Sequence, residues 1–348
     1  MDTYSAAAPV ARLDTEPSPD ALMQLGLGFW GSKTMLSAVE LGVFSALAEG
    51  PAEAGELAAR LGVHPRAARD FFDTLVALKL LDRSDGRYRN SPATDLYLDR
   101  RKPSYLGGLL EMANSRLYAT WGSLTDCLRT GRSQSKSHDH GDPFEALYES
   151  PEALTQFLRA MTAHSLPAAR AIAQQFPWED YETFADIGCA EGGLPVTVAA
   201  AHPHLTGWGY DLPAVGPLFT AYAAEHGLAE RLDFQPGNFF TDPLPAAQVL
   251  VFGHILHDWD LEQKRLLLRK AYEALPPGGA VLVYDSMIDD DRRENLFGLL
   301  MSLNMLVETP GGFDYTGADC LAWLAETGFR DGRVEPLVGG HSMAIGLK

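Results

Sequence analysis

The stretch VLVFGHILHDWD, Val249 to Asp260, decides how the second half of this 348-residue chain is read. It begins as a short apolar run rich in Val and Leu, the composition of a strand buried on both faces of a parallel sheet. At Gly253 it breaks into a turn carrying His257, Asp258 and Trp259, and a helix is expected over 260–275. An imidazole therefore stands just past the carboxyl end of a strand, where open α/β sheets bind ligands. Two readings follow. His257 is a base whose neutral form is available near pH 7, or it caps the next helix.

Outward from this stretch, short apolar segments alternate with helical ones from Trp178 onward. Strands are expected at 183–187, 207–210, 232–235, 248–252 and 280–285, with helices at 192–201 and 215–226. A helix at 321–327 and strands at 331–336 and 342–347 end the chain, the last strand antiparallel at the sheet edge. The alternation predicts a doubly wound, mostly parallel seven-stranded sheet with helices on both faces.

The first half has a different period. Apolar residues recur at helical spacing from Leu22 to Ala48, predicting two short helices, and further helices are expected at 53–61 and 65–81. A hairpin around Asp85-Gly86 follows, which completes the order of a winged helix. Such a unit suggests DNA binding, and the segment from Arg60 to Lys102 has a local basic excess. The would-be recognition helix is nevertheless dominated by Phe71, Phe72, Leu75, Val76 and Leu78, side chains that want burial rather than a groove. It is read as packing or as a dimer surface. Helices are also expected at 106–128 and 152–175, the latter kinked or divided at Pro167, with Phe157, Met161 and Ser165 on one face.

Composition narrows the function classes. With 28 basic against 46 acidic side chains the formal net charge is -18, which repels nucleic acid and anionic membrane surfaces. A cationic ligand is not opposed. The start of the chain lacks the pattern of a signal peptide and no run approaches a membrane span, so a cytoplasmic protein with a loose tail over residues 1–20 is expected. Cys127, Cys189 and Cys320 lie far apart and outside any CxxC spacing, which reads as buried free thiols. His138, Asp139, His140 and Asp142 have the residue types of a metal site, but adjacent ligands in a polar run read as a solvated loop. His254 and His257 with Asp258 offer a second metal reading, set aside because no further ligand sits at a helpful spacing. No metal is expected.

Three loops trace a nucleoside along the sheet edge. The first strand runs into DIGCAEGG, Asp186 to Gly193, a glycine-rich turn that opens a helix. Asp186 and Glu191 would face a pyrophosphate poorly, whereas S-adenosylmethionine carries a sulfonium and an ammonium that suit nearby carboxylates. Asp211 in YDLP follows the second strand, placed to accept from both ribose hydroxyls. Gly237-Asn238-Phe239 follows the third strand, suited to an adenine.

With HILHDWD, DIGCAEGG, YDLP, GNFF and PGGFDYT in view, the chain resembles the S-adenosylmethionine-dependent small-molecule O-methyltransferases of the caffeate and acetylserotonin methyltransferase type. The resemblance runs over nearly the whole length. It implies a winged-helix-like dimerisation domain at 21–150, connecting helices at 151–180 and a Rossmann-like methyltransferase domain at 181–348, working as a homodimer. It implies a catalytic histidine at His257 with supporting acids at Asp285 and Asp314, where plant relatives have glutamates. Cofactor contacts are implied at Ser165, Gly188, Asp211, Asn238, Phe239 and Trp259. Ala190 replaces a usual glycine of the first loop. Substrate-lining positions fall on Phe157, Met161, Met305 and Thr309, to which Trp121 and Met301 are added as apolar neighbours of a flat, aromatic or polyketide-like acceptor.

The expected chemistry is in-line displacement at carbon with His257 removing the acceptor's proton. A phenol pKa of about 10 against about 6.5 for histidine makes complete proton transfer uphill by roughly 5 kcal/mol, so a neighbouring cation has to help. Methylation of a ring carbon beside a phenol would use the same base and cofactor. A relative that keeps the cofactor but catalyses a different reaction, and a DNA-binding regulator with a ligand domain, are the rivals from other classes.

Overall fold

The computed structural model describes residues 18–102, 104–134 and 150–348. The chain divides into two compact units at Ala119–Thr120. The histidine and aspartate cluster at 138–142 and most of the expected N-terminal tail lie outside the described residues.

The first unit is mainly helical. Where the spacing predicted two helices, there are three, Asp20–Gly26, Gly28–Glu40 and Val43–Leu47. The break falls at Gly42, whose φ of 76° is a left-handed conformation that glycine adopts without strain. Helices Ala54–Leu61 and Pro65–Ala77 follow. A three-stranded antiparallel sheet then forms from β1 (Ala52–Glu53), β2 (Leu81–Ser84) and β3 (Arg87–Asn90), in the order β1-β3-β2. Asp85 and Gly86 both have positive φ, so the hairpin has the twist that two-residue loops favour. Helix Pro65–Ala77 turns Ala68, Phe72 and Leu75 into a core shared with Phe44, Leu57 and Tyr88. Its Asp73 is engaged by Arg83 and by the Tyr88 hydroxyl at 2.7 Å. Leu22, Leu25 and Trp30, by contrast, are mostly exposed.

The second unit is built on a seven-stranded sheet. Its strands are β4 (Thr183–Ile187), β5 (Thr206–Asp211), β6 (Leu232–Pro236), β7 (Val249–Gly253), β8 (Ala280–Asp285), β9 (Arg330–Pro336) and β10 (Ser342–Leu347). The order is β6-β5-β4-β7-β8-β10-β9. All neighbours are parallel except β10, which runs antiparallel to β8 and β9. The final strand therefore sits inside the sheet rather than at its edge, and the mostly exposed β9 takes the edge. This is the Rossmann-like, mostly parallel arrangement that the alternation predicted. The strand order reverses between β4 and β7, which places the ligand-binding crevice at their carboxyl ends. Every residue of β8, and all of β7 but Gly253, is buried between apolar layers, as their near-continuous Val, Leu and Ala content requires.

The structure departs from expectation at three local points. Helix Pro151–Gln175 is not divided at Pro167. The segment over 106–128 is broken into short pieces, including a π turn at Ala113–Leu117, and the unit boundary falls within it. Beyond that boundary Trp121 Nε1 donates to Asn304 Oδ1 at 2.8 Å and Ser133 donates to the Val307 carbonyl, tying these residues to the second unit. The helix they reach, Leu296–Glu308, was not anticipated. Its LFGLLMSLNMLVE run is apolar on nearly every face and shows little helical period. Cys127, Cys189 and Cys320 are buried free thiols.

Candidate active site

His257 lies in a single 3₁₀ turn, Leu256–Asp258, directly after β7. It does not cap the following helix. Asp260 does, accepting from Gln263 N at 2.8 Å while the Gln263 side chain returns to the Asp260 N. His257 is 6% exposed, and its Nδ1 stands 3.2 Å from Asp314 Oδ1 and 3.7 Å from Asp285 Oδ1. Nε2 lies 3.7 Å from Asp258 Oδ1, beyond hydrogen-bonding distance. Asp285 is the last residue of β8, so sheet pairing brings it beside the β7 turn, and Asp314 arrives on the GGFDYT loop after helix Leu296–Glu308. The three residues expected to work together are thus brought together.

Electrostatics follow from three carboxylates around one ring. Burial by itself disfavours the imidazolium, but Asp285, Asp314 and Asp258 outweigh it and raise the His257 pKa to about 10. Burial likewise pushes the carboxylates up. Asp285 ends below the usual range because His257, His254 and the Tyr315 hydroxyl favour its charged form. One imidazolium cannot compensate three buried acids, so Asp314 stays raised and Asp258 is pushed to about 6.

Two supporting residues escaped the sequence reading. Lys264 is fully buried, and its ammonium donates to the Trp259 carbonyl and, at 3.0 Å, to that of Phe313, fastening the His257 turn to the Asp314 loop. Its signal was present in the sequence as a lysine in phase with Leu267, Leu268 and Ala271 on an apolar helix face. Gly312 is the other. A Cβ there would stand 2.4 Å from Thr309 Oγ1 and 2.6 Å from the His257 carbonyl, so only glycine lets the two loops meet.

The nucleoside loops converge at the carboxyl edge. Gly188 (φ 77°), Ala190 (φ 50°) and Gly192 (φ 100°) all take left-handed backbone after β4. Ala190 is held there by its N–H donating to Asp211 Oδ2 at 3.0 Å. Asp211 ends β5 and also accepts from Leu212 N at 2.7 Å. Asn238 Oδ1 accepts from Phe240 N at 2.9 Å, and the rings of Phe239 and Trp259 meet edge-to-face 5.8 Å apart. Burial and the nearby Asp211 raise the Asp186 pKa to about 8, and burial raises Glu191 as well. Carboxylates held at this cost suit a cationic ligand and not a pyrophosphate.

Ser165 sits on helix Pro151–Gln175, where its hydroxyl interacts with Tyr284 at the end of β8. Of the expected acceptor-lining residues, Met161 is partly buried and Phe157 packs against Leu154, Leu158 and Val215. Met301 and Met305 share helix Leu296–Glu308, whose Asn304 holds the Trp121 indole. Thr309 is 4% exposed and its hydroxyl closes a turn, donating to the Met305 carbonyl and accepting from Gly312 N, both at 2.8 Å. That geometry makes it a loop-shaping residue.

A cluster the sequence reading did not assemble lies beside this site. His164, His254 and His341 meet at tilted to edge-on angles with ring centroids 4.8 to 5.2 Å apart. Burial keeps His164 well below its ordinary pKa and lowers His341 to about 4.

Comparison with known proteins agrees with the fold. Residues 121–330 match an O-methyltransferase domain and residues 23–100 an O-methyltransferase dimerisation domain. The chain is 46% identical over 331 residues to the tetracenomycin polyketide synthesis 8-O-methyl transferase TcmO of Streptomyces glaucescens, covering 95% of this chain and 97% of that one. It is 42% identical over 288 residues to the N,N-dimethyltransferase OxyT of Streptomyces rimosus, covering 82% of each. The crystal structure of human N-acetylserotonin methyltransferase in complex with S-adenosylmethionine matches with a TM-score of 0.87 at 30% identity, over 97% of this chain and 99% of that one. The chain belongs to the S-adenosylmethionine-dependent O-methyltransferase family. Among the described residues no helix is long and apolar enough to cross a membrane.

Proposed function

We propose that the protein transfers the methyl group of S-adenosylmethionine to a hydroxyl of a small aromatic or polyketide-like metabolite, with His257 as general base. The observation that carries the reading is the buried His257 ring, bonded through Nδ1 to Asp314 and leaving Nε2 as the nitrogen that exchanges a proton. The name of TcmO, a polyketide O-methyl transferase, supports the acceptor class.

The residues at the carboxyl edge fit the cofactor. Asp211 would take the ribose, the left-handed Gly188 loop would pass close under the nucleoside, and Asn238, Phe239 and Trp259 would border the adenine. Ser165 would meet the amino-acid end. The bound cofactor supplies an electrophilic methyl on a sulfonium whose charge favours neutral His257. Within the chain, the carboxylates match the base to its task. A ring with a pKa of about 10 accepts a proton from a phenol of pKa about 10 at almost no free-energy difference. Asp285 and Asp314 then hold the imidazolium. Phe157, Met161, Met301, Met305 and Trp121 would border a flat acceptor, with Thr309 shaping the loop behind it.

The OxyT relationship favours a second acceptor chemistry, an amine nitrogen, in the same site. Incubation with isotopically labelled cofactor and a panel of polyketide-like phenols and anilines separates the cases. Product mass reports the transfer, and the new carbon's shift distinguishes methoxy, N-methyl and aryl-methyl products. Turnover that demethylated cofactor supports equally well would move the assignment to a non-transfer reaction.

The dimerisation-domain match and the exposed Leu22, Leu25 and Trp30 support a homodimer formed through the first unit, which light scattering in solution measures. Three buried free thiols and the net charge of -18 fit a cytoplasmic enzyme with no nucleic-acid partner.

A further inference from the structure

We propose that His164, His254 and His341 form a binding site for one first-row divalent transition metal ion of the zinc type, separate from the His257 base. The three residues come from distant parts of the chain: helix Pro151–Gln175, the turn after β7 and the connection between β9 and β10. One ring nitrogen of each lies within 4.8 Å of the others. In a tetrahedral zinc site, with Zn–N of about 2.0–2.1 Å, ligand nitrogens stand roughly 3.4 Å apart, so modest ring rotations close the set.

Tautomers point the same way. His341 Nδ1 faces the Val338 carbonyl at 3.2 Å, so it is the donor and the lone pair resides on Nε2. His254 Nδ1 lies 3.5 Å from Asp285 Oδ1, which likewise draws the proton to Nδ1 and leaves Nε2 as the acceptor. Both Nε2 atoms are buried without a hydrogen-bond partner. A buried acceptor without a partner is destabilising, and a shared cation satisfies two at once. A histidine bonded at one nitrogen to a carboxylate or backbone carbonyl is the usual arrangement behind a metal ligand.

Backbone geometry adds an independent observation. His254 has φ 55°, a left-handed conformation uncommon for non-glycine residues and frequent at functional sites. Three imidazoles with no carboxylate select zinc, cobalt, nickel or copper over magnesium or calcium, and three protein ligands leave a fourth position for water. A rival grouping, His254 with His257 and Asp285, also lies within 4.8 Å. It would compete for His257 Nδ1, which already faces Asp314.

The test uses untagged full-length protein stripped with a chelator and titrated with Co²⁺. One equivalent should produce visible d–d absorption that Zn²⁺ abolishes by displacement. His164→Gln and His341→Gln should each weaken Co²⁺ binding by at least about 100-fold, since losing even an outer-shell partner costs about 10–100-fold. His257→Ala should leave it intact. Two glutamine variants are made so that one folded protein, verified by circular dichroism, suffices. Absence of the band in the parent protein, binding unchanged in a folded glutamine variant, or binding abolished by His257→Ala overturns the proposal.

Discussion

His257 Nδ1 and Asp314 Oδ1 stand 3.2 Å apart, although 57 positions separate the two residues in the chain. The contact fixes the tautomer, with the proton on Nδ1, and directs the basic lone pair to Nε2. His257→Ala should therefore lower kcat by about 10²–10⁴-fold while the dissociation constant for S-adenosylmethionine stays within a few-fold. Asp314→Asn, which can present an amide N–H to the ring and reverse the tautomer, should lose comparable activity. Calorimetric binding beside steady-state rates checks both. Near-normal turnover of His257→Ala would remove it as the base.

The pH profile carries a sign. His257 holds its proton up to about pH 10 without ligand, and in the proposed role its neutral form is the base, so kcat/KM for the acceptor should rise with pH through the neutral range. The limb should bend below pH 10 because the bound sulfonium disfavours the imidazolium. Asp285→Asn removes the strongest of the attractive carboxylates, so the bend should move to lower pH and the plateau should fall. A bend that moves upward contradicts the assignment.

Lys264 is placed to act through position. Lys264→Met leaves the Trp259 and Phe313 carbonyls without their buried donor, a loss of about 1–3 kcal/mol that should appear as a lower Tm. Because those carbonyls flank the His257 turn and the Asp314 loop, kcat should drop more than KM for either substrate. A variant with lower Tm but unchanged kcat would make Lys264 purely structural.

Stability should also depend on pH through Asp186. Its folded pKa of about 8 exceeds the ordinary carboxylate value, so the folded chain binds a proton that the unfolded chain releases. The associated stability is present at low pH and is lost as pH rises from about 4 through 8. The Tm of ligand-free protein should fall between about pH 5 and 8, and Asp186→Asn should flatten that slope. A slope unchanged in the variant assigns the titration elsewhere.

What the sequence made legible follows from period and punctuation. Thr183–Ile187, Ala280–Asp285 and Ser342–Leu347 form strands over the expected residues because short apolar runs bounded by turns have little freedom to be anything else. The HDW turn and the DIGCAEGG, YDLP and GNFF loops carried the expectation of a nucleoside edge for the same reason. Helix Leu296–Glu308 was hidden because uniform apolarity has no period to detect. Lys264 was hidden because a lysine is read as solvent-facing unless its phase is followed. The three-histidine cluster had no local signal, since its members lie at 164, 254 and 341 and only the fold unites them.

The three buried cysteines have a use unrelated to catalysis. Burial pushes the Cys189 thiol well above its ordinary range and raises Cys320 too, so neither offers a thiolate to an alkylating reagent while the chain is closed. Cys189 lies in the loop after β4, Cys320 on the buried face of helix Gly317–Thr327 and Cys127 on helix Leu124–Thr130. Each thiol is therefore a native clock for the opening of its own neighbourhood. Labelling rates followed by peptide mass would rank how often the cofactor edge, the sheet flank and the Leu124–Thr130 helix come apart. Bound cofactor should slow the clock at Cys189 first.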